Sequence, residues 1–199
     1  MMQETVPSIA SMASFGRACR GEHYSGDTAS IHEQDAGTFL AIADAAGHGR
    51  SAHSVAKEVE KILGSEDTND LAALIQSMHR QLMGGPGAVI IAGFLDAESL
   101  DFTFVHIGDV HGKIIGPRPR SLVGQAGMLG HAIRTPNIKS ETLFPGDTLV
   151  LCTDGISERY DLTEIKGHRT ISADGLARQI VKKFGKDHDD ATCIVVRCA

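Results

Sequence analysis

The sequence predicts an α+β fold in which antiparallel sheets are covered by layers of helices. Strand-like segments follow one another in meander order, joined by turn sequences at residues 96–99 and 108–109. The helical segments are grouped, because two amphipathic segments stand next to each other between residues 50 and 83. A doubly wound parallel sheet would alternate strands with helices along the chain, and this sequence does not.

Composition and charge limit the class of protein. The 199 residues are 42% hydrophobic, which fits a single domain over residues 1–199 with a sizeable core. The net charge of -6, with acids and bases interspersed, argues against nucleic acid or an anionic membrane as the main partner. No apolar run approaches the roughly 20 residues of a membrane span, and Met1–Pro7 has no signal-peptide pattern.

The four cysteines indicate a reducing compartment. They are Cys19, Cys152, Cys193 and Cys198; none forms a C-x-x-C pair, and three of them lie in apolar, strand-like segments. Buried free thiols are favoured over disulfides or a zinc site. We therefore expect a cytoplasmic protein. We also expect a monomer, since no exposed apolar stripe stands out as an interface.

The amino-terminal part predicts two strands and two helices. Ser8–Cys19 is small and apolar and is typical of an edge strand, whereas residues 21–27 form a turn that ends in an acid. Gly37–Ala43 is a buried strand. Arg50–Leu63 and Asn69–Met83 carry apolar residues at i, i+3 and i+4 spacing. Two consecutive helices with a short connection predict an antiparallel pair on one side of a sheet.

The remainder predicts mostly strands and one further helix. Residues 124–137 are glycine-rich and weakly patterned, and they give no assignment. Ser172 is a suitable N-cap for a helix that ends at Phe184, with Gly185 past its end. The strand candidates are Ala88–Leu95, Leu100–Ile107, His111–Ile115, Ser121–Val123, Thr148–Cys152 and Thr192–Arg197.

Four aspartates stand at strand ends or in turns: Asp27, Asp44, Asp154 and Asp189. Carboxylates that converge on one cleft repel each other, and hard divalent cations relieve that repulsion. Oxygen donors suit magnesium or manganese rather than zinc. Two such ions hold a hydroxide and clamp a phosphoryl group, so no Ser, Cys or His nucleophile is required.

Five short motifs, in this order, resemble the metal-dependent serine/threonine phosphatases of the PPM family (type 2C). Within it, the chain is most similar to the bacterial SpoIIE/RsbU-like branch, and there to stressosome phosphatases that consist of a bare catalytic domain. No single motif is decisive, but the ordered set is specific and spans residues 25–192. The motifs are Ser25-Gly26-Asp27, Asp44-Ala45-Ala46-Gly47-His48-Gly49, Gly108-Asp109, Thr153-Asp154-Gly155-Ile156-Ser157-Glu158 and Asp189-Asp190-Ala191-Thr192.

The resemblance implies a four-layer α-β-β-α sandwich of two antiparallel sheets flanked by helix pairs. The segment between Gly116 and Glu141 is short, so we expect a reduced flap. The implied reaction is hydrolysis of phosphoserine or phosphothreonine by attack of a metal-bound hydroxide. The implied substrates are phosphorylated STAS-domain proteins of a stressosome, which the enzyme would reset after stress signalling.

The resemblance also implies a binding site for two manganese or magnesium ions. Carried over residue by residue, Asp44 bridges both ions and the Ala45 carbonyl binds one of them. Asp154 and Asp189 hold the other ion. Asp27 binds the second ion directly or through water. The three acids Asp44, Asp154 and Asp189 are the expected catalytic set.

Other positions carry a weaker expectation or depart from the family. Asp109 and Glu158 stand where the family recruits a third, weaker ion, although a hairpin-turn residue and a solvated carboxylate explain them equally well. Glu22 stands near the place of a phosphate-binding arginine of eukaryotic members. Ala46 replaces their general-acid histidine, so we expect a metal-bound water to protonate the leaving group.

Three alternatives compete with this interpretation. Asp44 is also placed to cap the helix that follows it. Gly47–Ala52 matches the G-x-G-x-x-A pattern of a dinucleotide-binding turn, although a second helix follows where a βαβ unit needs a strand. A non-catalytic PPM-fold domain that binds a signalling partner is the third, and retention of all four acids argues against it.

Overall fold

The chain is described by a computed structural model over residues 8–66 and 68–199. Met1–Pro7, where the sequence shows no signal-peptide pattern, lies outside the described residues. In chain order the elements are β1 Ile9–Arg17, β2 Asp27–Gln34, β3 Gly37–Ala45, α1 Gly49–Ser65, α2 Leu71–Gln81, β4 Ala88–Asp96, β5 Asp101–Ile107, β6 His111–Ile115, β7 Arg120–Ser121, β8 Gly127–Met128, β9 Ala132–Ile133, β10 Lys139–Thr142, β11 Thr148–Cys152, a 3₁₀ turn Leu162–Glu164, α3 Ala173–Phe184 and β12 Ala191–Cys198.

Two five-stranded antiparallel sheets form the centre of the fold, as the sequence predicts. The first has the strand order β10-β5-β4-β3-β2, and the second has the order β1-β12-β11-β6-β7. Strands β8 and β9 form a separate hairpin. Because β3 and β4 are antiparallel neighbours on either side of α1 and α2, there is no βαβ unit here and the dinucleotide-binding interpretation is wrong.

The sheets stack face to face with helices outside them, giving the expected four layers. Side chains alternate between the two faces of a strand. In β3, Phe39, Ala41 and Ala43 pack against α1 and α2, whereas Leu40 and Ile42 pack between the sheets. Among the described residues, the outer face of the second sheet is covered by one α-helix, α3, and the 3₁₀ turn instead of the expected pair.

The helices are where the sequence places them, within a few residues. The Ser172 hydroxyl accepts a hydrogen bond from the Gly175 N–H at 3.2 Å and Gly185 is the C-cap of α3, which confirms both predicted ends. The strands that the sequence analysis missed are β2, β10 and the β8–β9 hairpin. The only apolar side chains of β2 that pack against the core are Ala29 and Ile31, both partly buried, so its apolar pattern is too weak to identify an edge strand.

The remaining sequence-based expectations concern cysteines and membranes. All four cysteines are free thiols, and three of them are buried: Cys152, Cys193 and Cys198. Within the described part of the chain, no helix is both long enough and apolar enough to cross a membrane.

Candidate metal centre

Two of the four aspartates lie opposite each other in neighbouring strands. Asp27 begins β2 and is the cross-strand partner of Asp44 near the end of β3. Leu40 and Ile42 face the space between the sheets, and the alternation of side chains turns Asp44 to the same side. Residues directly opposite in an antiparallel pair share a face. Both carboxylates therefore stand at one end of the inter-sheet layer.

The second sheet brings the other two aspartates to the same end. Asp154 comes two residues after β11, and Asp189 comes two residues before β12, the antiparallel neighbour of β11. The Thr153 N–H donates to the Thr192 carbonyl at 3.0 Å, and the Thr192 N–H donates back to Thr153 Oγ1 at 3.0 Å. These are the last hydrogen bonds between β11 and β12 before the loops that carry Asp154 and Asp189.

A side-chain hydrogen bond joins the two sheets at this end. The Thr153 hydroxyl donates to Asp27 Oδ2 at 2.8 Å, between residues that are both buried. The second carboxylate oxygen, Asp27 Oδ1, is buried and finds no hydrogen-bond partner among the described residues. Unpartnered buried oxygens are costly unless a donor or a cation meets them, so this atom is suited to a metal ion.

Three of the predicted metal ligands line one cleft together with a candidate for the third ion. The cleft has a volume of about 240 Å³, and its walls include Asp44, Asp109, Asp154 and Asp189. Asp27 lines a neighbouring cavity of about 410 Å³ instead. Glu158 lines a third cavity, which it shares with Asp109. The structure thus brings Asp109 to the cleft and leaves Glu158 beside it.

The electrostatics of the cleft oppose negative charge. Burial, followed by the charges of Asp27, Asp154 and Asp189, raises the pKa of Asp44 to about 9. Burial also raises the pKa of Asp27 to about 7, although hydrogen bonds from threonines oppose the rise. The pKa of Asp154 is raised by burial and then by Asp189 and Asp109. A divalent cation would remove this penalty by neutralising the carboxylates.

The donor set therefore fits magnesium or manganese. Its members are carboxylate oxygens, which are ligands that hard cations take. Among the described residues, no three His, Cys, Asp or Glu side chains form a group already spaced to hold a metal ion. The fit rests on the chemistry of the donors, their mutual repulsion and the unpartnered Asp27 oxygen, and not on a preformed coordination shell.

The turn after β3 places backbone atoms at the cleft. Gly47 and Gly49 have φ values of +93° and +72°, which residues with a Cβ rarely adopt. The N-cap of α1 is His48, without a side-chain cap bond, so the helix-cap interpretation of Asp44 is wrong. The Ala45 N–H donates to the Gly26 carbonyl at 3.1 Å, which ties this turn to the residue before Asp27.

Comparison with known proteins identifies the family. A family model described as Stage II sporulation protein E (SpoIIE) matches residues 34–199. The chain belongs to the SpoIIE family. It is therefore a PPM-type phosphatase by family, the class of serine/threonine phosphatases that the ordered motifs indicate. A search of the curated proteins gives no significant match.

Solved structures share the fold of this SpoIIE-family chain. One, described as "The bacterial stressosome: a modular system that has been adapted to control secondary messenger signaling", is 27% identical, with a TM-score of 0.86 over 96% of this chain and 99% of that chain. RsbX in complex with magnesium is 18% identical, with a TM-score of 0.79 over 94% of each chain. The catalytic domain of the phosphatase PstP in complex with 2 manganese ions is 18% identical, with a TM-score of 0.71 over 97% and 99%.

In the sequence of this SpoIIE-family chain, Glu22 stands near the position of the phosphate-binding arginine of eukaryotic members. Glu22 is exposed, and its carboxylate lies 3.3 Å from His48 Nδ1. Ala46, in place of the eukaryotic general acid, lines the cleft. A cation that sequence reasoning missed is Lys186, whose Nζ donates to the Asp154 carbonyl at 2.6 Å. Nothing in the local pattern around Lys186 separates it from a surface lysine.

The side chain of Asp190 bonds to the backbone. Its two carboxylate oxygens accept hydrogen bonds from the N–H groups of Cys19 and Gly26, each at 2.6 Å. The residue is only 3% exposed. Thr153 begins the motif Thr153–Glu158, but its role could not be predicted from the sequence. A single threonine before an aspartate looks like an ordinary strand residue.

Proposed function

We propose that this chain is a manganese- or magnesium-dependent protein phosphatase that hydrolyses phosphoserine and phosphothreonine. Asp27, Asp44, Asp154, Asp189 and the Ala45 carbonyl are the proposed ligands of two ions, with Asp44 between the two. The observation that supports this best is the half-buried Asp44 carboxylate, whose pKa is raised to about 9 by burial and then by three neighbouring aspartates. When bound, such ions supply Lewis-acid activation of water and neutralise charge on the phosphoryl group.

The side chains around the cleft support water as the nucleophile. Ser, Thr and Cys are absent from the residues that line it, and the lining histidine, His48, is exposed and paired with Glu22. Ala46 offers no proton to the leaving oxygen, so solvent is the proposed acid. Asp109 lines the cleft and is the proposed ligand of a third, weaker ion, with Glu158 as a second candidate from the adjoining cavity.

The proposed substrates are phosphorylated STAS-domain proteins of a stressosome. Support comes from the 27% identical structure whose description begins "The bacterial stressosome" and from the fold shared with RsbX. The reaction would reset the assembly after signalling, as negative feedback. A single cytoplasmic catalytic domain over residues 1–199, monomeric in solution, completes the proposal.

Phosphate release tests this proposal directly. A phosphorylated STAS-domain protein is incubated with wild type and with Asp154→Asn, in manganese, in magnesium and with chelator. The matched control is Asp161→Asn, an exposed aspartate whose side chain caps the 3₁₀ turn, a role that asparagine keeps. Metal-dependent release that Asp154→Asn abolishes and Asp161→Asn preserves is the expected result.

Other outcomes separate the parts of the proposal. Turnover of a small aryl phosphate without turnover of the STAS-domain protein would keep the phosphatase and remove the substrate assignment. Manganese binding without turnover of either substrate would favour a non-catalytic PPM-fold domain that engages a signalling partner. Equal activity of Asp154→Asn and wild type at saturating manganese would remove the proposed site.

A further inference from the structure

Two loops flank the candidate metal centre; one leads into Asp27 and the other contains Asp189. The first, residues 18–26, connects β1 to β2 and leads directly into Asp27. The second, residues 185–190, connects α3 to β12 and contains Asp189. We call them the 18–26 loop and the 185–190 loop. Within the described residues, two charged side chains that play no part in the proposed reaction, Asp190 and Arg17, hold these loops, beside a backbone hydrogen bond from the Arg20 N–H to the Asp187 carbonyl at 3.1 Å.

The first of these side chains is Asp190. Its oxygens accept from the N–H groups of Cys19 and Gly26, each at 2.6 Å, so one carboxylate holds both ends of the 18–26 loop. A carboxylate that is 97% buried needs such donors, and charge-assisted bonds of this kind are short and strong. In addition, the Asp190 N–H donates to Asp189 Oδ1 at 3.0 Å, which orients the neighbouring carboxylate.

The second side chain is Arg17, the last residue of β1. Its guanidinium donates to the Lys186 carbonyl at 2.7 Å and to the Asp189 carbonyl at 3.2 Å, so it holds both ends of the stretch 186–189. A third bond reaches the Ala18 carbonyl at 3.2 Å. The planar fork of donors makes several such bonds at once, which a lysine cannot reproduce.

We propose that Arg17 and Asp190 form a reciprocal clamp that positions Asp27 and Asp189 and thereby sets the affinity of the proposed site for its metal ions. The arginine from the β1 side holds carbonyls of the 185–190 loop, and the aspartate from that loop holds amides of the 18–26 loop. Each proposed ligand adjoins a clamped residue in sequence, because Asp27 follows Gly26 and Asp189 precedes Asp190. The clamp rests on the proposed metal-dependent function.

The clamp acts on metal affinity more than on the chemical step. Groups that orient metal ligands without touching the metal change metal affinity by about 10–100-fold when they are removed. Excess metal restores the bound state, so the maximal rate recovers while the metal requirement rises. If the two side chains served stability alone, their removal would lower the melting temperature without raising the metal concentration that full activity requires.

The test compares two clamp variants with two controls from the same loops. Arg17→Gln and Asp190→Ala remove the clamp. Arg20→Gln and Asp187→Ala make the same charge changes in side chains that are 83% and 80% exposed and that face each other at 3.9 Å. Manganese binding is measured by calorimetric titration, and aryl phosphate turnover is measured as a function of manganese concentration.

We expect both clamp variants to bind manganese about 10–100-fold more weakly than wild type. At saturating manganese their kcat returns to within about threefold of wild type, and KM for the aryl phosphate is unchanged. The manganese affinity of Asp190→Asn, which keeps one acceptor oxygen, lies between those of wild type and Asp190→Ala. The two controls, Arg20→Gln and Asp187→Ala, have the manganese affinity and the turnover of wild type. If a clamp variant fails to fold, Arg17→Lys and Asp190→Asn carry the same comparison.

Other results overturn the clamp. Wild-type manganese affinity in Arg17→Gln and Asp190→Ala would show that the bonds do not position the ligands. An equal loss in Asp187→Ala would show that loop charge, and not the clamp, sets the affinity. If wild type itself binds no manganese, the proposed metal site fails, and the clamp fails with it.

Discussion

The Thr153 hydroxyl and the Asp27 carboxylate form a 2.8 Å hydrogen bond between the two sheets, across 126 residues of sequence. Both residues are buried; the bond reaches Asp27 Oδ2, and Asp27 Oδ1 has no hydrogen-bond partner among the described residues. The bond fixes one proposed metal ligand on the first sheet relative to Asp154, the residue after Thr153 on the second. The geometry of the centre thus depends on how the sheets stack as well as on the loops.

Replacing Thr153 with valine removes this donor while keeping the shape of the side chain. We expect the free energy of unfolding to fall by about 1–3 kcal/mol, because the buried Asp27 loses its partner. Manganese affinity is expected to fall as well, since the ligand is no longer held. Urea unfolding and calorimetric titration measure the two effects. Thr153→Ser keeps the hydroxyl and serves as the control, and equal losses in both variants would contradict the role of the bond.

Asp44→Asn tests the centre of the acidic cluster. The amide cannot carry the charge that two divalent ions require, so phosphatase activity and stabilisation by manganese are expected to disappear. The metal-free protein is expected to become more stable at pH 8, on the order of 1 kcal/mol, because the burial and then the neighbouring charges that raise the pKa of Asp44 do not act on a neutral amide. Melting curves with manganese and with chelator separate these effects. A variant that is less stable than wild type in chelator would contradict the electrostatic interpretation.

The stability of the metal-free protein should depend on pH through this site. The folded protein holds protons on Asp44 up to about pH 9 and on Asp27 up to about pH 7, whereas the unfolded chain releases them near pH 3.8. Between these values the native state binds more protons, so the free energy of unfolding falls as pH rises. The contribution is fully present below about pH 3.8 and is lost by about pH 9.

The measurement is the difference between wild type and Asp44→Asn in chelator from pH 5 to pH 9. Taking the difference cancels the contribution of the buried histidines His106 and His111. Their pKa values are lowered, so they make the free energy of unfolding rise with pH instead of fall. Manganese binding should release protons and tighten as pH rises, which titration in buffers of different ionisation heat detects. A pH-independent difference, or no proton release, would contradict the assignment.

The two candidates for a third ion should behave differently. Asp109 lines the cleft with three proposed ligands, whereas Glu158 is exposed and lines the adjoining cavity. We expect Asp109→Asn to lower activity and to remove a weak phase from the manganese titration, while the tight phase remains. The activity of Glu158→Gln is expected to stay within about twofold of wild type, because an exposed carboxylate interacts only weakly with neighbouring charges. The same loss in both variants would place Glu158 at the ion as well.

The sequence by itself determined the chemistry of the centre and the regular elements with strong patterns. Aspartates after apolar runs, in a fixed order, indicated an oxygen-donor site, and the 3.6-residue periodicity located α1, α2 and α3. These features are local, because each depends on residues within one or two turns of the chain. The edge strand β2 was missed for the same reason, since its two core-facing residues, Ala29 and Ile31, give too short a pattern.

Only the tertiary structure decided which side chains hold the centre in place. Thr153 meets Asp27 across 126 positions, and Asp190 meets Gly26 across 164. Arg17 reaches the Asp189 carbonyl across 172 positions. In sequence these residues look like an ordinary threonine, a second acid and a strand-end arginine. Their roles arise because stacking the two sheets buries these polar groups, and each buried group then needs a hydrogen-bond partner from another strand or loop.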